Sequence, residues 1–181
     1  MNDQIADPLK TSGGARRRYL TVVFADLCDS TRLGASMEAE WYAAMLADLR
    51  HACTEVLGRH GGTVVRIQGD GALAIFGYPS TGEADARCAT QAVLELHAVV
   101  RAMAPEVGTG TRASLALHSG IHSGLVLVDD GDLVRGRFEL LGTVPNLAAR
   151  LSDEAGRDEI LVSEETLGPE FRYFETSPLL Y

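Results

Sequence analysis

A chain of 181 residues that is 46% hydrophobic and 23% charged carries enough apolar material for one sizeable core, and reads as a single globular domain. Its formal net charge of −9 opposes nucleic-acid binding, which needs a cationic surface to displace counterions from phosphates. No apolar run nears the roughly 18 to 20 residues of a membrane span, and the N-terminus lacks the apolar core of a signal peptide, so a cytoplasmic protein without membrane insertion is expected.

Residues 1–18 mix polar residues with Gly13, Gly14 and the run Arg16-Arg17-Arg18, which predicts a mobile tail ahead of a domain at 19–181. Residues 19–25 form a β-branched and aromatic run, a buried strand that delivers Asp26 at its end. Ser36 is placed to cap a helix with Glu38 and Glu40 in its first turn and with Trp41, Met45, Leu49, Ala52 and Val56 on its apolar face, stopped by Gly61-Gly62. Residues 63–67 and 72–76 then read as a hairpin closed by Gln68-Gly69-Asp70-Gly71, with Asp70 at the tip.

A capping box from Ser80 to Glu83 predicts a second long helix with Ala89, Val93, Leu96 and Val100 inward. Strands are expected at 112–119 and 125–128, an acidic turn at 129–132, and a further strand ending near Leu141. The acidic turn lacks the twelfth-position glutamate of a calcium loop. A third helix starts around Thr143, with Pro145 in its first turn, and a last strand is expected at 171–174. The sum is an α+β fold, an antiparallel-rich mixed sheet flanked by helices. Cys28, Cys53 and Cys88 have no CxxC spacing and read as reduced thiols. His118 and His122 flank Gly120 in a strand, which excludes a helical HxxxH zinc site.

Asp26 at a strand end and Asp70 at a hairpin tip can converge on one edge of the sheet, where hard oxygen ligands suit Mg2+ or Mn2+. The segment Phe24-Ala25-Asp26-Leu27-Cys28-Asp29-Ser30-Thr31 resembles the first metal motif of the class III nucleotidyl cyclases, and Gly69-Asp70-Gly71-Ala72-Leu73-Ala74-Ile75-Phe76 the second. Gly142-Thr143-Val144-Pro145-Asn146-Leu147-Ala148-Ala149-Arg150-Leu151 resembles the third, and the segments at 120–124 and 159–163 resemble family strands. The resemblance implies a cyclase homology domain, a head-to-tail homodimer with interfacial sites, and conversion of a nucleoside triphosphate to a 3′,5′-cyclic nucleotide and pyrophosphate. It implies two Mg2+ or Mn2+ ions at Asp26, Leu27 and Asp70, and phosphate binding along Leu27, Cys28, Asp29, Ser30 and Thr31. Asn146 would orient the ribose and Arg150 would stabilise charge at the α-phosphate; four residues apart on a helix, they share a face.

The chain departs from the family where the base is read. Arg66 stands where adenylate cyclases usually carry lysine and guanylate cyclases glutamate, and Glu139 stands at the second base position. Arginine is longer and planar with five donors, and with Tyr19 beside it would fill the pocket and favour a smaller base. A tyrosine and an arginine at such places resemble the bacterial pyrimidine cyclases of the Pycsar antiphage systems, so the expectation leans to UTP and cyclic UMP. A purine cyclase with a non-standard base pair and an inactive nucleotide-binding domain remain alternatives. Lys10 is the only lysine, so Arg157 or Arg172 would have to replace the family's polyphosphate lysine.

Overall fold

The computed structural model describes residues 15–103, 106–107, 111–112, 114–132, 137–168 and 170–178. Its axis is strand β1 (Arg16–Leu27), which pairs antiparallel with β3 (Gly71–Phe76) on one side and β6 (Leu117–Asp132) on the other. β2 (Thr63–Gln68) continues the sheet beyond β3. On the far edge of β6 lie β7 (Arg137–Leu141), antiparallel, and β8 (Ile160–Val162), parallel. A two-residue pair, β4 (Glu106–Val107) with β5 (Thr111–Arg112), stands apart from the sheet.

Side-chain alternation along β1 divides the core. Val23, Ala25 and Leu27 pack with Ala72, Ala74 and Phe76 beneath α2 (Ala39–Arg59) and α3 (Asp85–Ala102). Leu20 and Val22 face the other way, with Ile75, Val126 and Val128, against α4 (Thr143–Glu154). A central strand buried on both faces has to read as a continuous apolar run, and β1 does.

Several expectations are corrected. Residues 1–14 of the expected tail lie outside the described residues, but Arg16, Arg17 and Arg18 are strand, paired with Val128, Leu127 and Val126. Arg18 also donates from Nη1 to the carbonyl of Pro79 at 2.6 Å and lies over the Tyr78 ring. Ser36 closes the short helix α1 (Ser30–Ser36) instead of capping the long one, its hydroxyl donating to Leu33 O at 2.9 Å. In α2 the buried stripe begins one turn later, at Met45, and includes Cys53 and Leu57, so Trp41 is 55% exposed.

α3 begins at Asp85, whose carboxylate accepts the Gly82 N–H at 2.7 Å, and the capping box does not form. The two strands expected at 112–119 and 125–128 are one strand starting at Leu117. Its glycines mark where α4 presses on the sheet: a Cβ on Gly120 would collide with the backbone of Ala148 and Ser152, and one on Gly124 would lie 2.7 Å from Val144 Cγ2. The expected acidic turn at 129–132 is also strand, with Asp129 opposite Glu139 and Asp132 opposite Arg137. After α5 (Glu164–Leu167), the expected strand at 171–174 is a 3-10 turn, Phe171–Tyr173, and Arg87 and Arg172 both lie over the Tyr173 ring.

Candidate active site

Asp26 lies one residue from the end of β1, opposite His118, on the α4 side of the sheet by its alternation with Val22 and Phe24. Its Oδ1 accepts the Leu27 N–H at 3.1 Å. The β2–β3 turn comes down directly onto it. A Cβ on Gly71 would lie 3.1 Å from Asp26 Oδ1, so the bare glycine after Asp70 lets the turn close against the carboxylate. Partial burial, and then the charge of Asp70, push the Asp26 carboxyl above its ordinary range. Among the described residues neither aspartate has an arginine or lysine partner.

Two adjoining carboxylates without a counter-ion suit a divalent cation. No group of three or more His, Cys, Asp or Glu side chains among the described residues could hold a metal by itself. Mg2+ is typically held by one or two carboxylates together with substrate phosphates, and this donor set matches that pattern.

Helix α2 fixes the turn from the side, through residues that carried no sequence signal. Arg50 donates from Nε and Nη2 to the Gly69 carbonyl, at 3.2 and 3.1 Å, immediately before Asp70. Two turns earlier, Tyr42 packs its ring on Gly34 of α1, and its phenol is pushed up by burial and then by Asp70 and Asp26. Both residues looked like ordinary positions of a core-facing helix.

Between β1 and α1 the chain turns through Asp29 in the left-handed region, φ 58°. The Cys28 N–H is spent on Ala116 O at 2.9 Å, and burial raises its thiol, which stays protonated. Asp29 Oδ2 accepts from Arg32 and from Arg157, each at 3.1 Å. Ser30 and Thr31 open α1, where first-turn N–H groups have no carbonyl within their own helix.

On α4, Val144, Pro145, Ala148 and Ser152 are buried against the sheet, whereas Asn146 and Arg150 are exposed. At about 100° per residue, Asn146 lies about 200° around the helix from Val144, and Arg150 the same from Ala148. Both therefore project away from the sheet. Gly142, at φ 131°, makes the sharp entry from β7.

The base-reading candidates do not converge within the chain, and the expected placement of Tyr19 beside Arg66 does not hold. A register shift between Val64 and Arg66 is a β-bulge that sets Arg66 opposite Leu73, on the face of Val65 and Phe24. Glu139 is exposed on β7, across three intervening strands, and alternates with Leu140, which packs on the α4 side. Tyr19 is 48% exposed opposite Leu125 and has the parity of Val23, on the face of α2 and α3. His118 is half-buried and His122 buried: Nδ1 of His118 donates to Ser152 O at 2.7 Å, and Nδ1 of His122 lies 2.8 Å from Ser163 Oγ. The three cysteines are free, and no described helix is long and apolar enough to cross a membrane.

The geometry has counterparts among known proteins. The family model described as the adenylate and guanylate cyclase catalytic domain matches residues 15–170. The chain is 26% identical over 138 residues to Adenylate cyclase 1 of Rhizobium meliloti, covering 76% of this chain and 21% of that protein. It is 25% identical over 147 residues to the Uridylate cyclase of Rhodovulum sp., covering 78% of this chain and 61% of that one. The crystal structure of the adenylyl cyclase CyaB from P. aeruginosa superposes with a TM-score of 0.74 at 30% identity, covering 85% of this chain and 81% of that chain. The chain thus spans only part of the curated relatives' length, and it belongs to the adenylate and guanylate cyclase catalytic domain family.

Proposed function

We propose that this chain is a nucleotidyl cyclase that converts a nucleoside triphosphate, preferentially UTP, into its 3′,5′-cyclic monophosphate and pyrophosphate. The observation that carries the cyclase reading is the closure of the Asp70 turn onto Asp26. The ribose 3′-oxygen attacks the α-phosphorus as its hydroxyl proton passes to solvent, the bond to the β-phosphate oxygen breaks, and pyrophosphate leaves with the electron pair. Asp26, the Leu27 carbonyl and Asp70 would hold divalent metal, which when bound would supply Lewis acidity toward the 3′-hydroxyl and the phosphate oxygens. Asn146 orients the ribose, and the Arg150 guanidinium stabilises charge at the α-phosphate.

Asn146 and Arg150 face away from their own sheet, which supports a site shared by two protomers: the aspartates of one meet α4 of the other. The uridylate cyclase relative supports the pyrimidine reading, and the bulge places Arg66 on the same face of the sheet as Asp26. In this reading Arg66 donates to a uracil carbonyl; Tyr19, on the opposite face of the sheet, does not share that contact, and Glu139 lies across three intervening strands.

The test is kcat/KM for ATP, GTP, CTP and UTP with Mn2+. UTP is expected to lead, and the double variant Arg66→Lys, Glu139→Asp should shift preference toward ATP. A wild-type preference for ATP or GTP would refute pyrimidine selectivity. Mixing Asp70→Ala with Arg150→Ala should recover activity that neither variant has alone; a dead mixture of folded, exchanging subunits would refute the shared site.

A further inference from the structure

The cyclase reading leaves the pyrophosphate end of the substrate without an assigned cation, and this inference rests on that reading. Asp29 puts a carboxylate into the segment that follows the metal aspartate, where a polyphosphate would meet like charge. Two guanidiniums answer it. Arg157 Nη1 and Arg32 Nη2 each lie 3.1 Å from Asp29 Oδ2, so the three side chains together carry one net positive charge. Arg157 Nη2 also donates to Ser114 O at 2.6 Å. Of the five N–H donors of its guanidinium, three remain unused by these bonds.

The backbone beneath Arg157 is anchored from both sides. Asp158 holds φ 61°, and its N–H donates to Leu117 O at 2.9 Å. Its carboxylate accepts from Arg101 Nη1 at 2.7 and 2.9 Å and from His97 Nδ1 at 3.1 Å, and the Gly156 N–H donates to Glu159 Oε2 at 2.6 Å. Arg157 is therefore a cation on a fixed base, with its side chain 45% exposed. Arg172, the other candidate, stacks on Tyr173 instead.

We propose that Arg157 is the polyphosphate-binding cation of this chain, held ready by Asp29 and passed to the terminal phosphates when substrate or pyrophosphate arrives. Asp29 occupies one edge of the guanidinium; a phosphate oxygen of arriving substrate takes over that N–H donor, and Arg32 keeps Asp29 neutralised. The place-holder gives the two residues effects of opposite sign, which a purely structural ion pair would not.

The experiment measures pyrophosphate affinity by product inhibition and by calorimetry, alongside inhibition by the nucleoside 5′-monophosphate, which lacks the outer phosphates. Arg157→Ala should weaken pyrophosphate binding and raise the KM for the triphosphate about tenfold or more, the loss of a charge-assisted hydrogen bond. Monophosphate inhibition should be unchanged. Arg157→Lys should restore much of the pyrophosphate affinity, Asp29→Asn should tighten it, and Arg172→Ala should leave it as in the wild type. Unaltered pyrophosphate affinity in Arg157→Ala, a parallel loss of monophosphate affinity, or weakened pyrophosphate binding in Asp29→Asn would each overturn the inference while the wild type remains an active cyclase. A wild type that turns over no triphosphate would overturn the cyclase reading itself.

Discussion

The two faces of the sheet are built differently. On one, α2 and α3 bury Val23, Ala25, Ala74 and Phe76 under a broad apolar layer that reaches Leu57, Leu96 and Val100. On the other, the smaller cluster around Leu20, Val22, Ile75 and Val126 is covered by α4, while Phe24, Val65 and Leu73 are only partly buried. Asp26 and Arg66 share that second face. Burial on the first face supplies stability, whereas the second leaves polar groups at its margin, the groups that the proposed function assigns to substrate. Residues on the two faces should therefore fail in different ways.

The sharpest test is Asp26→Asn. Removing a carboxylate that the proposed function assigns to metal should lower kcat/KM by about 10³-fold or more, the several kcal/mol that a Lewis-acid metal contributes to a transition state. Yet the metal-free protein should melt no lower than its parent. Partial burial and Asp70 both disfavour the charged form of Asp26, and asparagine removes that repulsion while keeping an oxygen for the Leu27 N–H. A variant that lost activity by unfolding would break the distinction between the faces.

Gly120→Ala should cost both properties at once. The added methyl group meets α4 backbone at Ala148 and Ser152, and backbone cannot rotate aside as a side chain can. Overpacking of this kind typically costs 1–3 kcal/mol. It should appear in denaturant melts together with a fall in kcat/KM, because the displaced helix carries Asn146 and Arg150. Gly124→Ala meets only a Val144 methyl and should be milder in both. Equal effects of the two substitutions would show that α4 is not seated on Gly120.

How much of this was legible depended on whether the signal was local. Asp26 was readable because the apolar run before it makes a strand, and Asp70 because glycines on both sides make a turn. Asn146 and Arg150 share a helix face by spacing alone. Arg66 was legible as a departure but not as a direction, since its facing is set by a one-residue bulge invisible to strand alternation. The continuity of β6 was hidden because Gly120 and Gly124 look like strand breaks until α4 is seen pressing on them. Arg50 reaches across 19 residues and Arg157 across 128, and contacts at such separations leave no periodic trace.

The smallest expected effect lies on the face under α2 and α3 and concerns pH. His97 is buried between α3 and β6; its ring donates from Nδ1 to Asp158 and accepts the Ser119 hydroxyl at Nε2, 2.8 Å away. Burial holds the ring below the ordinary imidazole value of 6.5, against the opposing pull of Asp158, and the nearby charges of Arg101 and His118 act in the same direction as burial. Below about pH 6.5 the unfolded chain takes up a proton at His97 that the folded chain resists. Stability then rises with pH through this window: the contribution is fully present above the unfolded value and is lost as pH falls toward the lower folded one. Thermal melts of the parent between pH 5.5 and 7.5 should show this decline on acidification. His97→Gln, which retains a donor and an acceptor but does not titrate, should flatten it without moving the base preference. An unchanged slope in His97→Gln would assign the acid sensitivity elsewhere, and a changed base preference would mean that the two faces are coupled through the sheet.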